Sequence, residues 1–184
     1  MSYPDYTTCL SLLTNAGVSN GVLKHVKAVH RFSVNIGNRL INQGYGINMP
    51  LLKAGAMLHD IGRSKTHGLS HAIVGCEIAE KLGLPGDIIL IIQNHIGAGI
   101  AREEAMEKGL PPQDYIPSTI EEKIVAAADN LAFGDELQTI QQLEQNMRRQ
   151  GIDKAAERCI ALHKELSKMC GMDLDELLSE KSTI

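Results

Sequence analysis

The stretch Leu52-Lys53-Ala54-Gly55-Ala56-Met57-Leu58-His59-Asp60-Ile61-Gly62 decides how this chain is read, because an apolar run ends in a histidine and an aspartate. A helix that is apolar nearly all round is buried. It is expected to begin near Asn48, with Pro50 tolerated in its first turn, and to set His59 and Asp60 inside the protein. Burying a carboxylate is costly unless a charge or hydrogen bonds compensate it.

The flanking stretches repeat the anomaly. Upstream, a long helix opens at Ser19 or Asn20 and carries Val22, Val26, Val29, Phe32, Ile36 and Leu40 as one stripe before Gly44 stops it. His25, three residues after Val22 and four before Val29, lies in that stripe. Downstream, a helix runs from Ser70 to Gly83 with His71 at its start, and another opens with Pro85, contains Ile88 to Ile92 and reaches His95. Ser118 and Glu121 have capping-box spacing and launch a helix through Ile124, Val125, Ala128 and Leu131, in which Asp129 follows three alanines. A lone histidine on an apolar face is usually a hydrogen-bonded core residue. Four of them with two aspartates are harder to explain that way. Neither lysine nor arginine shares those helical faces, so a divalent cation is the simplest neutralising partner.

Apolar residues recur at three and four rather than at two, which makes the class all-α. The 184 residues, 43% hydrophobic and 22% charged, suit a single domain spanning 1–184. Eighteen basic against 22 acidic residues give a net charge of −4, and 2 Phe, 4 Tyr and no Trp leave few stacking platforms. Both observations argue against nucleic acid as a partner. Cys9, Cys76, Cys159 and Cys170 form no C-x-x-C pair, and no signal segment or membrane-length apolar run is present, so a cytoplasmic protein without membrane contact is expected. Residues 97–118 are interrupted by Gly97, Gly99, Gly109, Pro111, Pro112 and Pro117, and read as a loop with one or two helical turns; whether it covers a site or Gly97-Ala98-Gly99 simply ends a helix stays open. From Asp135 onward the chain is amphipathic and reads as two or three helices on the outside of the core. Gly44-x-Gly46 lacks the third glycine of a dinucleotide fingerprint, and the sequence has no phosphate-binding loop.

His59-Asp60-Ile61-Gly62 resembles the HD-I-G signature of the HD-domain metal-dependent phosphohydrolases. The helix with His25 and Val29 is similar to that family's first-histidine helix, and Ile124-Val125-Ala126-Ala127-Ala128-Asp129-Asn130-Leu131 resembles its closing aspartate helix. Residues 20–134 follow the family's order. The resemblance implies a small, stand-alone prokaryotic member: an HD-domain helical bundle with residues 135–184 as a C-terminal helical extension. It implies that His25, His59, Asp60 and Asp129 ligate one metal, and that His71 and His95 complete a second site with Asp60 as the bridge. One or two divalent first-row ions (Mn, Fe, Co, Ni or Zn) would then generate a hydroxide that attacks phosphorus. The substrate types the resemblance implies are phosphorylated: nucleotides, cyclic nucleotides and nucleic-acid ends, with a small phosphorylated molecule as the expected partner.

Asp60 and Arg63 are the catalytic candidates. Arg63, where many relatives have lysine, reads equally as a phosphate fork or a solvated charge. His67 is a secondary ligand candidate, whereas His30 and His163 are expected to face solvent or pack. Nothing resembles the G-Y-P signature of the cyclic-dinucleotide phosphodiesterases, and no sensory or synthetase domain accompanies the bundle. Two other readings remain open: a diiron oxygenase of the same fold, and a non-catalytic nucleotide-binding module with a structural metal. Substrate and oligomeric state stay open.

Overall fold

Apolar spacing of three and four does produce helices. In the computed structural model, which describes residues 2–179, these are α1 (Tyr6–Ala16), α2 (Asn20–Asn42), α3 (Met49–Leu58), α4 (His71–Lys81), α5 (Gly86–Asn94), α6 (Arg102–Glu107), α7 (Ile120–Asn130), α8 (Ile140–Arg149), α9 (Asp153–Cys170) and α10 (Leu174–Ser179). Short 3-10 turns occupy Ile61–Ser64 and Ile96–Ala98, and Ala132–Phe133 pairs antiparallel with Glu136–Leu137. The fold is all-α apart from that hairpin. No helix among the described residues is long and apolar enough to cross a membrane.

Local chemistry sets most of the boundaries. Ser19 accepts a hydrogen bond from the Val22 amide at 3.3 Å, and Asn48 accepts one from Leu51 at 3.2 Å with Pro50 in the first turn. Beyond the helix ends, Gly44 and Gly83 adopt φ of 89° and 67°, a region that favours glycine. The start of α7 corrects the sequence reading by one residue: the capping box is Thr119 with Glu122, not Ser118 with Glu121. Ser118 instead donates its hydroxyl to Glu122 at 3.2 Å, and its amide together with the amide and hydroxyl of Thr119 donates to the same carboxylate. Nothing in the periodicity announced α1, which buries only Cys9 and Leu13.

Beside a small second cluster of Ile100, Ala105 and Tyr115, the core is one large cluster. Phe32 and Ile36 of α2, Leu52 and Met57 of α3, Ile88 and Ile92 of α5 and Ile124 of α7 meet in it. The C-terminal helices join the same cluster through Leu143, Leu162, Leu166, Leu174 and Leu178, so they share the core rather than only lying outside it. Two buried glutamates tie α7 in place. Glu121 accepts from the Asn48 amide at 2.7 Å and Glu122 from the Asn94 side chain at 2.7 Å, which locks α7 to the ends of α3 and α5.

Glycine sets the closest approach in the bundle. A Cβ on Gly62 would stand 1.9 Å from the carbonyl oxygen of His71 and 2.6 Å from the Gly75 nitrogen. Only a residue without a side chain lets α4 lie against the 3-10 turn that follows Asp60. His30 is half-buried, edge-on to Tyr6 with ring centroids 5.3 Å apart, and His163 is a packing residue buried among α8, α9 and α10.

Candidate metal centre

Six side chains converge from five helices and one turn. His59 caps the C-terminus of α3 and Asp60 opens the 3-10 turn; both are buried, at 0% and 1% exposure. α2 supplies His25, α7 supplies Asp129, α4 begins with His71 and α5 ends at His95. The two oxygens of Asp60 face different partners. Its Oδ2 lies 3.6 Å from His25 Nε2 and 3.7 Å from His59 Nε2, while Oδ1 lies 3.1 Å from His71 Nε2 and 3.7 Å from His95 Nε2. Asp129 Oδ1 joins the first group, 2.9 Å from His25 Nε2 and 3.6 Å from His59 Nε2.

Backbone carbonyls fix the imidazoles. The Nδ1–H groups of His59, His71 and His95 donate to Ala56, Gly68 and Ile92 at 2.8, 2.7 and 2.7 Å, and that of His25 donates to Gly134 at 2.9 Å. This assigns the proton to the outer nitrogen of each ring and turns four Nε2 lone pairs inward, the arrangement that orients histidine as a metal ligand. His71 and His95 then point lone pairs at each other across 3.0 Å. His59 Nε2 and Asp60 Oδ1 are buried with no hydrogen-bond partner. Buried acceptors facing one another without donors are what a cation relieves, so the donor set fits divalent metal. His25, His59 and Asp129 form one group able to hold an ion, and His59, Asp60 and His95 another.

The electrostatics agree. Burial raises both aspartates, but His59, His71 and His95 outweigh it for Asp60, and hydrogen bonds from His25 and His59 outweigh it for Asp129; both carboxyls fall below the usual range. Burial, aided by the charge of His59, takes His95 down to about 3, so it stays neutral. Burial opposes the charged form of His25, yet Asp129 and Asp60 push it up to about 9.

One expectation fails here. Asp60 does meet an arginine: Arg63 Nε donates to Asp60 Oδ2 at 2.6 Å. Arg63 is not on the helical face of Asp60; the 3-10 turn eclipses residues three apart and folds it back. The guanidinium is thus an ion-pair partner in the cleft, 31% exposed, rather than a freely solvated charge.

These groups open onto a cleft of about 340 Å³ lined by His25, Asp60, Arg63, His67 and Asp129, with Gly134 at its rim. His67 is exposed at the edge and meets none of the inward groups. No described residue of 97–118 lines this cleft. That segment packs elsewhere, through the Ile100–Tyr115 bridge and an ion pair of Glu104 with Arg158 at 2.9 Å. Sequence reasoning missed Gly134, which acts through its carbonyl; its only signal is a Gly-Asp pair between two very short apolar segments.

A family model described as HD domain matches residues 22–134, a span that takes in all six converging residues. The chain belongs to the HD domain family. This HD domain is 45% identical over 174 residues to a tRNA (cytidine(56)-2'-O)-methyltransferase of Thermoplasma volcanium, covering 95% of the chain and 50% of that protein. The chain therefore spans about half the length of that curated relative. It is 48% identical over 130 residues to an uncharacterized protein of Methanocaldococcus jannaschii, covering 71% of this chain and 76% of the other. Among solved structures, the L. monocytogenes phosphodiesterase PgpH HD domain in complex with cyclic-di-AMP shares the fold, with a TM-score of 0.57 at 16% identity over 96% of both chains. The first relative's name concerns RNA, which weighs against the expectation that nucleic acid is no partner.

Proposed function

We propose that this HD domain is a metal-dependent phosphohydrolase. The observation that carries the reading is the division of Asp60, whose two oxygens face separate sets of imidazoles. His25, His59, Asp129 and Asp60 Oδ2 would hold one divalent first-row ion, and Asp60 Oδ1, His71 and His95 a second. Residues 20–134 form the metal-binding core in this reading, and 135–184 are its helical extension, of which 180–184 lie outside the described residues. Bound there, such ions supply Lewis acidity that lowers the pKa of water and draws charge from phosphoryl oxygens.

The chain's own residues supply the rest. Four backbone carbonyls hold the imidazoles in place before any ligand arrives. Arg63 pins Asp60 with Nε and donates Nη1 to the His67 carbonyl at 3.5 Å, which sets its guanidinium on the cleft wall, where it would meet a phosphoryl group. Among the described residues no serine, threonine or cysteine lines the cleft, so these residues offer no side-chain nucleophile of the usual kind. Two carboxylates against two divalent ions leave a positive site, which favours an anionic phosphoester in spite of the acidic whole. A nucleotide, a cyclic nucleotide or the end of an RNA meets that requirement.

The test is metal analysis of the reconstituted protein combined with a phosphoester panel. The expected result is about two ions per chain and metal-dependent release of phosphate, reduced at least about a thousandfold by Asp60→Ala. His71→Ala should retain about one ion. A fully loaded wild type that hydrolyses nothing on the panel overturns the proposal. A non-catalytic nucleotide-binding module is the second reading, favoured by one observation: the methyltransferase relative is matched over only 50% of its length, so its named activity need not reside in this region.

A further inference from the structure

The chain's two phenylalanines have opposite fates. Phe32 is 2% exposed in the core, whereas Phe133 leaves 69% of its surface in water. A single exposed aromatic is ordinary; the position of this one is not. It stands in the first strand of the hairpin, opposite Glu136, between Ala132 and Gly134, both of which line the metal cleft. Gly134 is also the carbonyl that holds His25, so the backbone carrying the ring is tied to the metal centre.

Phe133 borders a second cleft of about 370 Å³, lined also by Glu136, Gln138, Gln145, Asn146 and Arg149. Gln138 spends its amide nitrogen on the Asn130 carbonyl at 2.9 Å. The side chains of Gln145, Asn146 and Arg149 make no hydrogen bond or ion pair to any described residue. Two amides, each with donor and acceptor, and one planar cation are therefore free beside an exposed ring.

We infer that the hairpin and α8 form a nucleobase subsite, in which Phe133 stacks the base of a nucleoside phosphate whose phosphoryl group lies in the metal cleft. Gln145 and Asn146 are placed to read the edge of the base, and Arg149 to meet a flanking phosphate. The six aromatics implied by the composition are too few for a polymer track, yet one ring suffices for one base. A free nucleotide and the terminal nucleotide of an RNA present the same chemistry. The inference relies on the phosphohydrolase reading for the seat of the phosphoryl group, not for the seat of the base.

The chain has no tryptophan, so Phe133→Trp in the metal-loaded protein installs a single reporter that a stacked base quenches. The probes are the four nucleoside 5′-monophosphates, ribose 5-phosphate and an adenylate tetranucleotide. Saturable quenching by at least one monophosphate and none by ribose 5-phosphate is expected. A tetranucleotide that binds more tightly than AMP points to an RNA end, and one that binds equally or more weakly points to a free nucleotide. By calorimetry, Phe133→Ala should weaken the best monophosphate about tenfold while shifting ribose 5-phosphate less than about twofold. No quenching by any base-bearing probe, or equal affinity in wild type and Phe133→Ala, overturns the subsite. Binding is read without turnover, so a protein that quenches but hydrolyses nothing retires only the phosphohydrolase reading, and one that hydrolyses with no preference for a base retires only this inference.

Discussion

At Arg63 and His30, two charges settle questions that composition left open. Arg63 is held over Asp60 by a turn only four residues long, and such an (i, i+3) contact exists only if that turn forms. Arg63→Lys keeps the charge and loses the planar fork. Steady-state kinetics of the loaded enzyme should show KM for a phosphoester rising about tenfold with a smaller change in kcat. At His30, burial and then the charge of Lys53 lower the pKa below its ordinary 6.5. The native state therefore binds this proton more weakly than the unfolded chain, and stability is lost as pH falls below about 6.5. His30→Gln should remove that component, so urea titrations of variant and wild type converge above pH 7 and separate toward pH 5. The six inward side chains were legible because polar residues in apolar stripes are rare enough to stand out. Gly134 was not, since a carbonyl acceptor leaves no mark on residue type.

Elements were legible where they are long. The stripe of α2, the apolar run of α3 and the glycine stops gave their helices to within a residue or two, whereas α1, with two buried side chains, and the two-residue strands carry too little pattern to detect. The displaced cap of α7 shows the same limit: adjacent Ser118 and Thr119, followed by adjacent Glu121 and Glu122, make two registers equivalent on paper. Packing chooses between them, because Glu121 is committed to Asn48. Thr119→Ala should cost about 1 kcal/mol by chemical denaturation, more than Ser118→Ala. Gly62 governs how α4 meets the turn. Gly62→Ala should destabilise the fold by about 3 kcal/mol or more and, by pushing away the residue that begins α4, lower bound metal from about two ions to one on elemental analysis.

For the molecule as a whole, facing lone pairs and unpartnered acceptors would make the proposed cation binding part of folding. Stripping the metal should lower Tm by about 10 °C relative to protein held at a thousandfold excess over Kd, with calorimetry as the check. The sharing of one core by the C-terminal helices was hidden from the sequence, because an amphipathic pattern tells which face is buried but not against what. Exposure across the centre is graded: Asp129 and His25 keep 21% and 16% of their side-chain surface, His71 and His95 only 3% and 1%. The cleft touches the outer pair and Asp60 but neither inner histidine. In the proposed two-ion reading, an ion bound for the interior would pass the outer position, so the deeper ion would load first and leave last. A chelator pulse should release one equivalent quickly and the second only after a lag.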